Sequence, residues 1–197
     1  LFFIFFTLSS CSSPEGTWGW YVIDPSTKAG WTNIKFLVGG FYSTILLSII
    51  AAFLSIFIGL VVALPAMSDN KLLKLFNRVY VEFIRSIPLL PMLFWVFYGL
   101  PVILKSMGID ANIDAFWGAI ITLAISDSAF TAEIYRAGIQ SISKGQTEAA
   151  KTIGLNYYQT MRYVIMPQAL RRILPPLANQ FIYIVKMSAF ASVIGMQ

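Results

Sequence analysis

Histidine is absent from the 197 residues, and cysteine occurs once, at Cys11. Without an imidazole there is no Ser-His-Asp triad, no histidine acid/base pair and no ordinary zinc site. A single cysteine excludes an internal disulfide framework and a cysteine metal cluster. Charge is also scarce, at 12% of residues against 57% hydrophobic. A soluble fold of this size cannot cover its surface with so little charge. The shortage is local too, because 36–67 holds no charged residue. Roughly 20 apolar residues cross about 30 Å of hydrocarbon, so this stretch is long enough to span a bilayer. The chain also lacks a G-x-x-x-x-G-K-[ST] loop and so has no phosphate cradle of that kind. No metal and no cofactor is expected.

What is present is a series of apolar runs with basic gaps. Residues 1–11 form a signal-like segment, apolar at first and then Leu8-Ser9-Ser10-Cys11, which resembles a lipobox and makes Cys11 a candidate for lipidation. Residues 12–35 carry Trp18, Trp20, Tyr21 and Trp31 among prolines and glycines, the composition of an extracytoplasmic loop at a membrane interface. A first span is expected over 36–64 and a second over 76–104, with Pro88 and Pro91 bending or breaking it. A third is expected over 115–137. A fourth is expected from Pro175-Pro176 onward, where proline suits a first helical turn.

The net charge is +5. A basic balance can signify nucleic acid, but here the cations sit between apolar runs, which is a topology signal. One set of loops holds Lys71, Lys74, Arg78, Arg136, Lys144, Lys151, Arg162, Arg171 and Arg172, and the opposite set holds Lys28, Lys35 and Lys105. The excess assigns the first set to the cytoplasm and the N-terminus to the outside.

The cytoplasmic loop at about 141–156 is the most informative stretch. Gly145 should end the preceding helix, Thr147 should cap a short new one, and Glu148 should sit at its positive end. Ala149 and Ala150 give a flat surface, and Gly154 a left-handed stop. A helix of about two turns is unstable without packing, which suits docking into a groove on another protein. Asn156-Tyr157-Tyr158-Gln159 then has the pattern of a capping box for a second helix, expected to end at Pro167 and to lie along the membrane surface.

Gly145-Gln146, Glu148-Ala149-Ala150, Gly154 and Ile165-Met166-Pro167 together resemble the E-A-A loop of permease subunits of binding-protein-dependent ABC importers. Arg85-Ser86-Ile87-Pro88-Leu89-Leu90 is similar to the R-G-T-P-L-L segment of the polar amino-acid group. Glu133-Ile134-Tyr135-Arg136-Ala137-Gly138 and Pro167-Gln168-Ala169 are similar to that group as well. The resemblance covers 36–197 and implies an all-α membrane protein with a five-span permease core. Four spans are present, and the last is expected beyond Gln197 in a longer protein. It further implies a non-catalytic subunit in a bacterial inner membrane, paired with a second permease chain. Two cytoplasmic ATP-binding subunits would dock on Glu148 to Gly154, and an extracytoplasmic amino-acid-binding protein would deliver substrate.

Charges at bilayer depth are costly and need partners. Asp127 lies about 12 residues into the third span, about 18 Å deep, and Lys186 lies at comparable depth from the other face. Two readings stand: the pair closes a salt bridge, or Asp127 faces the pathway and selects basic amino acids. The resemblance bears on this pair, because Met187 stands where the family has an aspartate after the lysine. Glu133 with Arg136, and Arg78 with Glu82, have the spacing of local helix pairs. Arg85, Pro88 and Glu133 are further candidates for the pathway. The competing class is a self-sufficient channel or secondary transporter, whose usual inverted repeat is not visible.

Overall fold

The computed structural model describes residues 19–68, 70–110 and 112–196. The signal-like segment and Cys11 therefore lie outside the described residues. The chain divides into two units, Leu1–Ser43 and Thr44–Gln197.

The first unit holds a 3-10 turn, Trp20–Ile23, and the start of α1, which runs Lys28–Ala66. Asp24 accepts the Ser26 amide at 2.9 Å, which holds its carboxyl below the usual aspartate value. Thr27 caps the helix, its hydroxyl accepting the Gly30 amide and its carbonyl the Trp31 amide, both at 3.0 Å. This cap explains why α1 begins at Lys28 rather than Phe36, so the expected loop over 12–35 is already helical in its last third. The polar first turns of α1 carry no apolar periodicity to announce them.

The second unit is a bundle around α4, Ala115–Gln140, which buries residues on most of its faces. Asp114 opens α4 by accepting the Phe116 amide. At one end Leu47, Ala51, Leu93, Ile120, Leu123 and Ile184 pack together. At the other end Val62, Val81, Ala132, Tyr135, Ile165 and Ile173 do so. Phe53, Phe57, Leu60 and Leu64 of α1 point outward and are exposed. In water such a surface would associate, whereas lipid tails are its natural solvent.

The expected second span is two helices. α2 runs Lys71–Ser86 and α3 Leu89–Ser106, the latter with a π-helical turn at Trp95–Gly99. Pro88 excludes Ile87 from the helical region, and Ile87 is extended at φ −90°, ψ 120°. The break expected at the prolines is thus located at 87–88.

α5, Lys144–Thr152, leads into α6, which runs Tyr157–Ile194 and contains a π-helical stretch at Thr160–Ile165 and a 3-10 end at Ser188–Ile194. The capping box forms as the sequence suggests, Asn156 accepting the Gln159 amide at 2.8 Å and Gln159 the Asn156 amide at 3.0 Å. Two expectations fail here. Helix α6 does not stop at Pro167, and Pro175-Pro176 lie inside it rather than in its first turn. By then the helix is established, and both prolines are exposed, so each removes only one outward-facing ladder bond.

Candidate functional site

The loop after α4 builds a short, exposed helix on a fixed base. Ser143 is extended and turns the chain into α5, so Gly145 and Thr147 lie inside the helix rather than breaking or capping it. Ile142 and Ala150 are buried beneath the loop, while Gly145, Gln146, Glu148, Ala149 and Ile153 are exposed. Gly154 ends α5 at φ 82°, where a side chain would be strained. Its amide reaches Lys151 O at 2.9 Å and the Leu155 amide reaches Ala150 O at 3.1 Å, the two bonds of a Schellman stop. Two side chains tie the loop to α6. Arg172 Nη1 donates to Ser141 O at 2.6 Å, and Gln168 Nε2 donates to Gln146 Oε1 at 3.1 Å.

A cavity of about 450 Å³ opens between α2 and the last turns of α4. Its wall carries Lys74, Asn77, Arg78 and Arg85 from α2 with Glu133 and Arg136 from α4. At about 100° per residue, Lys74, Arg78, Glu82 and Arg85 share one face of α2, opposite the exposed Leu72, Phe76, Val79 and Phe83. The third face buries Asn77, Val81 and Ile84, and Asn77 Nδ2 donates to Val62 O at 2.7 Å. Glu133 accepts from Arg136 through both carboxylate oxygens, and Arg136 Nη1 also reaches Gln140 at 2.9 Å. Arg78 and Glu82 are 4.0 Å apart and largely exposed.

Asp127 belongs to a different place. It is 3% exposed, and its carboxylate accepts from Ser55 Oγ of α1 at 2.5 Å, Thr131 Oγ1 at 3.1 Å and Gln180 Nε2 of α6. The expected pair with Lys186 does not form, and Lys186 is exposed. The reason is angular. Gln180 faces Asp127, and six residues at about 100° each carry Lys186 some 240° round the helix. Lys186 also lies far along α6, which starts at Tyr157 rather than at Pro176, so its depth is not the expected one. Asp127 borders an apolar groove with Ile56, Leu177 and Phe181, apart from the α2–α4 cavity. Arg85 and Glu133 thus share one cavity, while Asp127, Lys186 and Pro88 do not line it.

Residues 55–197 match the family of binding-protein-dependent transport system inner membrane components. The chain belongs to that family. The permease is 43% identical over 163 residues to the probable glutamine ABC transporter permease protein GlnM of Bacillus subtilis (strain 168), covering 83% of this chain and 73% of that protein. It is 38% identical over 169 residues to the probable amino-acid ABC transporter permease protein YckA of the same organism, covering 86% of this chain and 72% of that protein. A solved structure, an amino acid ABC transporter with histidines, matches with TM-score 0.74 and 41% identity over 84% of this chain and 76% of that one. The resemblance read from the motifs therefore holds, as does the all-helical membrane fold. Among the described residues, four helices are long and apolar enough to cross a bilayer.

Several residues of these sites were invisible to motif reading. Phe130 lies under the Arg85 guanidinium, 4.9 Å from ring centroid to Cζ. Ser55, Thr131 and Gln180 complete the Asp127 cluster. A polar residue inside a charge-free run was the available signal for Ser55, and the spacing of four from Asp127 was the signal for Thr131. Gln168 stood in the Pro167-Gln168-Ala169 motif, but its bond to Gln146 across the loop was not legible there.

Proposed function

We propose that this chain is the non-catalytic permease subunit of an ATP-driven importer for polar amino acids. It couples to two cytoplasmic ATP-binding subunits through α5 and lines the pathway with the α2–α4 cavity. A second permease chain completes the path, and an extracytoplasmic binding protein delivers substrate on the side of the N-terminus. The observation that carries the reading is α5 itself. It is short, displays Gly145, Gln146, Glu148 and Ala149, is bonded to α6 by Gln168, and follows directly on the end of α4 at 141–142, which Arg172 and Ile142 fasten to α6. A push on α5 therefore reaches two membrane helices at once, which is what alternating access requires of a docking element. The family match and the amino-acid relatives support the same assignment.

The alternative of a basic-amino-acid selector at Asp127 loses its ground, because that carboxylate is enclosed by three donors away from the cavity. A self-sufficient channel has no use for an exposed docking helix. The test is co-purification and transport. The assembled complex should retain its ATP-binding subunits and drive amino-acid uptake, and Glu148→Lys should release those subunits and abolish uptake. Uptake that runs on an ion gradient with no ATP-binding subunit attached would overturn the proposal.

A further inference from the structure

We infer that the α2–α4 cavity selects its amino acid by charge, admitting acidic or net-neutral zwitterionic species and rejecting basic ones, with Arg85 and Lys74 as the deciding residues. This rests on the reading of the cavity as part of the pathway. The volume of about 450 Å³ lies within the roughly 300–1,000 Å³ usual for small-molecule sites. Four cations, Lys74, Arg78, Arg85 and Arg136, face two carboxylates, Glu82 and Glu133, a formal excess of two positive charges.

The pairing decides which charges are left over. Glu133 is engaged by Arg136 through both oxygens, and Arg136 spends a further donor on Gln140. Glu82 is the neighbour of Arg78 at 4.0 Å. Lys74 and Arg85 have no ion pair within 4.0 Å among the described residues. Arg85 is instead held over the Phe130 ring. A cation over a ring spends no N–H donor in a hydrogen bond, so the donors of Arg85 remain for a carboxylate. Every amino acid brings one carboxylate to those donors. A second carboxylate, or a neutral amide, is compatible with the remaining positive field of Lys74. A second cation is repelled by it, and Glu133, the less exposed of the two carboxylates, is already hydrogen-bonded to Arg136. A cavity with a net excess of positive charge shifts the local concentration of small ions by up to about 10-fold, so discrimination of that order against arginine and lysine is expected.

Because a binding protein imposes its own preference, the test omits it. Purified permease in complex with its ATP-binding subunits is incubated with radiolabelled glutamine, and unlabelled glutamate, glutamine, arginine and lysine compete for binding. Glutamate and glutamine should displace the label about 10-fold better than arginine or lysine. The double variant Lys74→Gln/Arg85→Gln should erase the difference, and Lys74→Glu/Arg85→Glu should reverse it. Lys105→Gln, which removes one cation outside the cavity, should leave the order unchanged. Equal competition by arginine in the unaltered complex, an unchanged order in the double variants, or no saturable binding at tens of millimolar would overturn the inference. A complex that hydrolyses ATP and imports amino acids yet prefers arginine refutes charge selection alone. Loss of the ATP-binding subunits refutes the importer reading itself.

Discussion

Gly138→Ala is the substitution for which propensity and packing predict opposite signs. Alanine is the better helix former by about 1 kcal/mol, so propensity alone makes the variant more stable. Packing says otherwise. A Cβ at Gly138 stands 2.2 Å from Ile173 Cγ1 and 3.0 Å from its Cδ1, where carbon contacts are ordinarily about 3.5–4.0 Å. Ile173 is 2% exposed and β-branched, with one strongly preferred rotamer in a helix, so it cannot swing clear. Overpacking of this kind costs about 1–3 kcal/mol, and a separation this short belongs at the upper end. The net is a loss of about 2 kcal/mol, or roughly 4–8 °C in Tm for a chain of this length. Thermal unfolding of the detergent-purified complex, followed by size-exclusion or dye fluorescence, reads the shift. Ile173→Ala alone should cost about 2–5 kcal/mol. The pair should cost less than the sum, with a coupling of about 1–3 kcal/mol, because the new methyl enters the space left by the isoleucine. A Gly138→Ala variant with Tm equal to or above the parent would refute the close approach of α4 and α6.

Two further outcomes follow from buried polar groups. Thr160 is 3% exposed, and its hydroxyl has no hydrogen-bond partner, so Thr160→Val should raise Tm by a few degrees, consistent with about 1–3 kcal/mol for a buried unsatisfied group; a lower Tm would mean that the hydroxyl is bonded after all. At the other cluster, Asp127→Leu removes the shared acceptor of Ser55, Thr131 and Gln180, leaving the two hydroxyls only each other and Gln180 without its carboxylate, and should lower Tm more than Asp127→Asn, while neither alters amino-acid preference. A more stable leucine variant would show that the three donors re-pair among themselves.

How much of this was legible depended on the range of the interaction. The capping box at Asn156–Gln159 and the stop at Gly154 are local chemistry, and both form as the sequence suggests. The break near Pro88 is local as well, since proline acts on its immediate neighbour. The start of α6 was misplaced because Pro175-Pro176 offer the same local sign as a first turn, while the true start is fixed upstream by the capping box. The Asp127 pair was misassigned for a different reason. Its partners come from α1, α4 and α6, and only the rotation of each helix about its axis decides which side chains meet. Depth counting gives position along an axis and carries no information about that rotation.

That same rotation accounts for the oddest segment of the chain. α2 carries five charged residues, Lys71, Lys74, Arg78, Glu82 and Arg85, and it is not among the helices apolar enough to span alone. Its three faces resolve the conflict. Leu72, Phe76, Val79 and Phe83 form a lipid-compatible face, Asn77, Val81 and Ile84 dock on the bundle, and four of the five charges, Lys74, Arg78, Glu82 and Arg85, line the cavity. A helix so divided keeps its charged face toward water or substrate in the cavity while its apolar face can meet lipid. The break at Ile87-Pro88 then follows from the same requirement. Beyond it α3 has one charged residue, Lys105, near its end, so the chain needs a change of direction where the polar face stops. Charge, cavity and break are therefore one arrangement, and filling the cavity with apolar side chains, rather than removing a single charge, is the change that would make α2 untenable where it lies.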